Sequence, residues 1–409
     1  MRVFSPSLFL RSLSPALLCT TTFLLAAPAQ AALFDIEVSS GSETYQDSFN
    51  SAEALIDAFD DNNLNRQFSF DFNDTSDALG ILNYRGLPMT LSYSANSTAL
   101  RFKVDSLGID KTFAGATRSE SNDQLRDFLK AEGDDILNRI SRELVAVSPT
   151  DPVAGNPSSL MSTMAAGAYQ DVVSDNNTGV NIDTNNKAYL GVMFGSYQVD
   201  DDEVKTLNAP LSYTVNFDSA PGHKLTFKLP LSYAETNGEA KTYGVGLGVA
   251  YSVPATQQLS FTPAYAYGVI GSVELGNAAA MHTVSFTTRY DFTLAGQQFR
   301  FGNSLTHARS AELSAGELAI NPELTNNIMT NGLIWSSKPT SWGGHVDLFY
   351  TVTRFFGDEL YSDRSHEIGG AIALQDRADS FFNFKLGASY MLTDRSDLNG
   401  FRINMGSTF

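Results

Sequence analysis

The second half of the chain alternates apolar and polar residues with a period of two. In HKLTFKLPLSY, Leu225, Phe227 and Leu229 share one face, whereas Lys224 and Lys228 share the other. Twelve segments of this kind begin near residues 187, 208, 223, 241, 258, 281, 297, 325, 342, 365, 380 and 398. The alternation predicts antiparallel β-strands. We expect segments of about ten residues, the length that a tilted strand needs to cross a bilayer.

A soluble β-sandwich shares this alternation, but other features of the segments favour a membrane barrel. The apolar faces often begin or end in Tyr or Phe, as aromatic girdles do. The opposite faces are rich in Gly, Ser, Thr, Lys and Arg, which suits a wet lumen better than a dry core. Three odd-numbered connections, in DDDEVK, ARSAELSAGELAINPELT and FGDELYSDR, are predicted to be long outer loops, and even ones such as AGQ and KPTS short turns. Residues 187–409 are therefore predicted to form a twelve-stranded antiparallel transmembrane β-barrel.

Residues 32–150 have a mixed pattern that predicts a small soluble α+β domain. The stretches RQFSFDF, MTLSYS and ALRFKV are typical of short strands, and SNDQLRDFLKAEGDDILNRISRELVAV has a helical period. A domain of this size can bury its own core. Residues 151–186 are predicted to be a linker, in which SSLMSTMAAGAYQDVV is a candidate helix of small residues. The predicted fold class is mainly β, with the barrel preceded by this α+β domain.

The first residues of the chain predict export. Residues 1–31 combine basic, apolar and small residues in the order of a cleaved signal peptide. They contain Cys19, the only cysteine, so the mature chain has no disulfide or thiolate metal site. Removing Arg2 and Arg11 leaves 25 basic against 45 acidic residues, a net charge of −20. So acidic a chain argues against nucleic acid as a partner.

The last strand resembles the endings of outer-membrane proteins of Gram-negative bacteria, which the barrel-assembly machinery reads. Phe401, Ile403, Met405 and Phe409 match that pattern of alternating apolar residues with a terminal Phe. The strand count and the preceding helix candidate also resemble autotransporter translocator domains, whose twelve-stranded barrels are threaded by a helix. This resemblance implies that the barrel anchors, and translocates, its N-terminal domain, with residues 157–173 as the threading helix. Outer-membrane lipid is then a partner.

The polar strand faces place nine charged residues toward the predicted lumen. They are Lys224, Lys228, Arg289, Asp291, Arg300, Asp347, Glu367, Lys385 and Arg402. One interpretation is a passive, porin-like channel for small anionic solutes, with residues 32–150 as a periplasmic domain. The other is a structural set of cross-strand ion pairs, or cations that hold a plug formed by the chain's own N-terminal segment.

No residue pattern points clearly to catalysis, so we predict no enzyme activity, no catalytic residue, no metal site and no cofactor. The five histidines lack metal-ligand spacing such as HExxH. His307 lies near Ser310, which leaves an outer-membrane hydrolase as a weaker hypothesis. The glycines of GVGLGVA alternate strictly with no predicted helix after them, so they do not form a nucleotide loop. The acidic run from Asp200 to Glu203 is expected to be an exposed loop rather than a cation site.

Overall fold

The computed structural model describes residues 33–52, 54–55, 73, 75–131, 133–173, 186–199, 202–315, 318–340, 344–374 and 383–408. The predicted signal peptide, the strand RQFSFDF and Phe409 lie outside these ranges. The helices are α1 (Arg118–Ala131), α2 (Gly133–Val147) and α3 (Leu160–Val173). The strands of the N-terminal region are β1 (Phe34–Ser40), β2 (Glu43–Phe49), β3 (Ala78–Tyr84), β4 (Leu87–Tyr93), β5 (Ala99–Val104) and β6 (Ile109–Ala114). The later strands are β7 (Lys187–Val199), β8 (Asp202–Asn216), β9 (Lys224–Thr236), β10 (Ala240–Pro254), β11 (Leu259–Ser272), β12 (Asn277–Leu294), β13 (Gln297–Ala311), β14 (Leu313–Ala315), β15 (Leu318–Ile320), β16 (Thr325–Ser336), β17 (His345–Gly357), β18 (Arg364–Leu374), β19 (Asn383–Thr393) and β20 (Leu398–Thr408).

Twelve strands close into one antiparallel barrel, which confirms the predicted fold. They run in chain order from β7 to β20, with the small hairpin β14–β15 lying outside the ring. The last strand closes the ring on the first: Phe401 pairs with Ser196 and Ile403 with Phe194. Closure leaves no open strand edge, which a lipid environment requires because no water is present there to satisfy backbone groups.

The barrel has an apolar exterior and a polar interior. Large apolar side chains such as Leu247, Leu305 and Ile368 expose 64%, 53% and 60% of their surface. The neighbours of Leu305 along β13, Ser304 and Thr306, point inward and are buried. This arrangement is opposite to that of a soluble protein and places hydrocarbon-compatible groups outside.

The predicted strand lengths are wrong, and the predicted loop asymmetry holds only in part. The long connection predicted in ARSAELSAGELAINPELT lies between β13 and β16, whereas no long loop forms at DDDEVK. Barrel strands span 11 to 18 residues rather than about ten. Most of DDDEVK belongs to β8, because Asp202 and Glu203 pair with Val199 and Gln198 and extend the β7–β8 ladder. The even-numbered connections include 217–223, so they are not uniformly short. Two strands can continue to pair through polar residues where both are exposed to water. The apolar–polar alternation of the sequence does not reveal such an extension.

The N-terminal region folds as a six-stranded sheet with two helices. The strand order is β2-β1-β3-β4-β5-β6, and MTLSYS and ALRFKV correspond to β4 and β5. Leu87, Phe102 and Val104 of the sheet pack with Ile136 and Leu144 of α2. The single predicted helical segment is two helices, divided near Gly133, where glycine favours an interruption. None of the described helices is long and apolar enough to cross a membrane.

Candidate functional site

Helix α3 lies inside the barrel against the wall formed by β11, β12, β13 and β16. Its N-terminus is fixed by the preceding segment, because the amides of Leu160 and Met161 donate to the carbonyls of Pro152 and Val153. The small and apolar residues of α3 face this wall, and Met161 and Val172 are fully buried. The predicted helix of small residues therefore exists and fills part of the lumen.

Glycines in the wall create the space that α3 occupies. A Cβ atom at Gly268 would lie 2.9 Å from Leu160 Cδ1, and one at Gly302 would lie 2.9 Å from the Tyr169 hydroxyl. A Cβ atom at Gly332 would overlap the same hydroxyl. These glycines lie on β11, β13 and β16, so together they form a groove that follows the helix.

Polar side chains of the barrel bind backbone carbonyls of α3. Lys228 Nζ donates to the Gly167 carbonyl at 2.9 Å, and Arg300 donates to the Val172 carbonyl at 3.0 Å. The last carbonyls of a helix lack partners within the helix and carry partial negative charge. Arg300 therefore caps the C-terminus of α3, whereas Lys228 on β9 binds a carbonyl in the middle of the helix.

Three of the predicted lumen charges form one cluster beside this helix end. Asp291 accepts from Arg289 at 2.8 Å and from Arg300 at 2.7 Å. All three residues are buried. Because Arg300 also binds α3, the cluster connects the helix to β12 and β13. It is a cross-strand ion pair and a helix contact at the same time.

The opposite wall carries two further ion pairs around a cavity of about 270 Å³ that remains beside α3. Lys385 lies 2.5 Å from Asp347, and Arg402 lies 3.5 Å from Glu367. The Tyr197 hydroxyl accepts from Arg402 at 2.9 Å. Lys385 and Arg402 are thus each close to a carboxylate, and these carboxylates lower the net positive charge of the cavity.

Lys224 and the predicted assembly signal lie away from these clusters. Lys224 is the first residue of β9, at the end of the barrel where β7 begins and β20 ends. Phe401 and Ile403 expose about half of their surface on the outer face, at 53% and 42%. Met405 is half-buried. These positions agree with an apolar outer strand face and do not test recognition by an assembly machine.

The N-terminal domain is docked on the other end of the barrel, here termed the capped end. The described connections at this end are 237–239, 273–276, 358–363 and 394–397, together with 312–315 and 318–324. The Tyr361 and Ser362 amides donate to the carbonyls of Val145 and Gly155 at 2.9 and 3.1 Å. Arg142 of α2 forms an ion pair with Asp358. The domain and the barrel thus share backbone and side-chain hydrogen bonds.

A buried ion pair lies at the centre of this junction. Arg85 and Asp151 are fully buried and 2.7 Å apart. Arg85 also donates to the Leu275 carbonyl, and Asn277 of β12 donates to Asp151 at 2.9 Å. We call Arg85, Asp151 and Asn277 the junction latch. It connects the domain, the segment before α3 and the barrel through three side chains.

The backbone around Arg85 explains how its side chain reaches the junction. Arg85 and Gly86 form the two-residue turn between β3 and β4, with φ of 54° and 93°. Two positive φ values are typical of a type I′ turn, whose first position usually holds Asn, Asp or Gly. An arginine there is unfavourable locally, and its buried contacts offset the cost.

The residues considered for catalysis are not brought together. His307 is exposed on the outer face, where its Nδ1 atom lies 2.9 Å from Asn327 Oδ1. Ser310 faces inward and donates to Asn321. The GVGLGVA glycines lie within strand β10. No group of three or more His, Cys, Asp or Glu residues in the described part of the chain could hold a metal ion.

Sequence reasoning missed the junction latch, the glycine groove and the bond between Tyr197 and Arg402. One signal was available: an arginine followed by glycine in the tight turn YRGL. The other partners are separated by 66 and 126 residues along the chain, so only the docked fold identifies them. The buried segment around Asp151 had been expected to be a turn-rich linker.

The closed barrel, its apolar exterior and its lumen partly filled by a helix define the class: an outer-membrane β-barrel that resembles autotransporter barrel domains. The structure is similar to the β-domain of the Bordetella autotransporter BrkA, with a TM-score of 0.43 and 13% identity over 56% of this chain and 99% of that one. It is also similar to the translocator domain of autotransporter NalP from Neisseria meningitidis, with a TM-score of 0.45 and 10% identity over 61% and 95% of the two chains. The NanC porin aligns with a TM-score of 0.36 and 12% identity over 54% and 98%. No protein-family profile and no curated protein matches the sequence.

Proposed function

We propose that this protein is an autotransporter-like anchor that holds its own N-terminal domain on the outside of the outer membrane. The observation that carries the proposal is the path of the chain: the domain docks on the capped end, and α3 leads through the lumen toward the end where β7 begins. The proposal includes export by a cleaved signal peptide at residues 1–31 and insertion by the barrel-assembly machinery.

The orientation follows from strand parity and insertion. An even number of strands brings the start of β7 and the end of β20 to the same rim, opposite the capped end. Barrels of this class enter the membrane from the periplasm, so the rim with both strand ends faces the periplasm. The capped end then faces outward, and the docked domain is displayed there.

Single cysteines test this orientation, because the predicted mature chain contains none. Val273→Cys lies on an exposed connection of the capped end, Gln257→Cys on a connection of the opposite rim, and Thr112→Cys on the N-terminal domain. A membrane-impermeant maleimide applied to intact cells is expected to label the first and third variants. Gln257→Cys should react only after the outer membrane is permeabilised. Labelling of Gln257→Cys alone would contradict the proposal.

A porin-like channel is the second candidate, favoured by the cavity beside α3 and its lining cations. Planar-bilayer conductance distinguishes the two functions. For an anchor plugged by α3, the intact protein conducts little, and deletion of residues 157–185 opens the pore. For an anion channel, the intact protein conducts, and Lys385→Glu reduces its preference for anions.

A further inference from the structure

The outer face of the barrel has an uneven charge distribution near the capped end. On the outward positions of β11, β12, β13, β16, β17 and β18, the described strands carry no acidic residue: Asp291, Asp347 and Glu367 all point inward. The same wall carries Arg309 and Arg354, both exposed. The outward strand positions of this sector therefore carry cationic but no acidic residues, and the exposed acidic residues Glu312, Glu323 and Glu359 lie on the connections beyond them.

The opposite wall provides the contrast. Lys205 and Lys241 are exposed there, but Glu203 and Glu235 accompany them. Lys205 lies 3.1 Å from Glu203, and Glu235 is the cross-strand neighbour of both lysines. Lysine charges on this wall are thus balanced, whereas no ion pair joins Arg309 or Arg354 to any described residue.

The cationic residues lie near the edge of the apolar belt. Along β13, the exposed Leu305 is followed on the same face by His307 and then Arg309. Along β17, Tyr350 is followed by Val352 and Arg354, and the exposed aromatic residue Phe356 lies beyond Arg354. This level is where strands leave the hydrocarbon and meet lipid headgroups.

Histidines adjoin the arginines and are held in fixed orientations. His282 is the cross-strand neighbour of Arg309, and its Nδ1 atom lies 2.5 Å from the Tyr265 hydroxyl. His366 Nδ1 lies 2.7 Å from the Tyr350 hydroxyl. When a tyrosine donates to Nδ1, the neutral ring carries its hydrogen on Nε2 and can donate it to a phosphate oxygen.

We propose that Arg309, Arg354, His282 and His366 form a binding surface for the phosphorylated headgroup of an outer-leaflet glycolipid. Strand β16 separates Arg309 on β13 from Arg354 on β17, so the strands of the two arginines are about 10 Å apart, and a headgroup with two phosphates can place one phosphate near each arginine. Guanidinium groups bind phosphate oxygens in a bidentate geometry, which gives charge-assisted hydrogen bonds. A lipid fits better than a free anion because the surface continues directly into the apolar belt. The location of the lipid in the outer leaflet rests on the proposed orientation.

Native mass spectrometry of the full chain in detergent tests the surface, using diphosphoryl lipid A as the probe. The intact protein is expected to retain it, and the double variant Arg309→Gln/Arg354→Gln to lose at least about tenfold in affinity. The matched control, Lys205→Gln/Lys241→Gln, removes the same charge from the opposite wall and should bind as the intact protein does. Dephosphorylated lipid A should bind weakly, and inorganic phosphate at the same concentration should not compete.

Equal binding by the double arginine variant, an equal loss in the lysine control, or equal retention of dephosphorylated lipid A would overturn the proposal. Competition by inorganic phosphate would overturn the choice of a lipid. The measurement is made in detergent, so it does not depend on orientation. A failure here therefore differs from a failure of cysteine labelling, which tests the proposed function alone. Both double variants should also show the same heat-induced shift in gel migration as the intact protein, which confirms that they are folded.

Discussion

Replacing Asp151 with alanine is expected to release the N-terminal domain from the barrel without unfolding either part. The substitution leaves Arg85 fully buried with no carboxylate opposite it, and it removes the acceptor for Asn277. Breaking a buried ion pair by removing one partner costs about 3–5 kcal/mol. If the substitution raises the free energy of the docked state alone by this amount, the undocked population rises roughly 100- to 4,000-fold.

Hydrogen–deuterium exchange of residues 148–156 measures this population, except at the Val153 amide, which donates to Asp151 itself. This segment is buried in the docked state, and the Met161 amide that follows it is bonded to Val153. In Asp151→Ala, the protection of these amides should fall by the factor above, while amides of the barrel strands stay protected. Arg85→Met/Asp151→Leu replaces both charges with apolar groups and should recover much of the protection.

The matched control for the latch is an exposed ion pair of the same domain. Arg101 and Asp110 lie 2.6 Å apart on β5 and β6 with about half of each side chain exposed, and Arg101→Ala should leave the junction protection unchanged. A fall in protection of less than tenfold in Asp151→Ala, or an equal fall in Arg101→Ala, would contradict this role for the junction latch.

Three further predictions concern the plug and the junction. Gly332→Leu places a side chain where the Tyr169 hydroxyl lies, so α3 should be displaced and bilayer conductance should rise several-fold. The control Gly167→Ala adds a Cβ atom that meets open space, so the conductance should not change. Tyr169→Phe removes a hydroxyl that is buried without a hydrogen-bond partner among the described residues. The melting midpoint in detergent should therefore stay equal or rise by the equivalent of about 1 kcal/mol. A clear fall in the midpoint would show that the hydroxyl has a stabilising partner. Burial raises the pKa of Tyr84, whose neutral form is therefore favoured when docked. Docking should be complete below the ordinary tyrosine pKa of about 10 and weaken as the pH rises through the higher docked value, and exchange measured in Tyr84→Phe should lack that dependence.

The barrel could be predicted from the sequence because one physical rule repeats along it. Each strand must present alternate residues to lipid and to the lumen, so the period of two locates twelve segments without any knowledge of their contacts. The starts of β7, β13, β16 and β20 coincide with the predicted positions 187, 297, 325 and 398. The charges of the polar faces could be enumerated by the same rule.

The partners of those charges could not be predicted, because they depend on three-dimensional placement. Nothing near Arg300 in the sequence reveals that it binds the last carbonyls of a helix 128 residues earlier. The junction latch depends on a turn, a segment before a helix and a strand start that meet only after docking. The strand lengths could not be predicted for a different reason. Beyond the apolar belt, cross-strand pairing continues with polar residues, so the apolar–polar alternation no longer marks where a strand ends.

The length of β12 has a consequence for how the domain meets its surroundings. This strand has 18 residues, and the six from Asn277 to His282 precede its first lipid-facing aliphatic residue, Val284. With a rise of about 3.3 Å per residue and a tilt near 40°, those six residues raise the rim by about 15 Å. The barrel therefore holds the docked domain about 15 Å beyond the level of Val284. In the orientation that we propose, this distance separates the domain from the lipid surface.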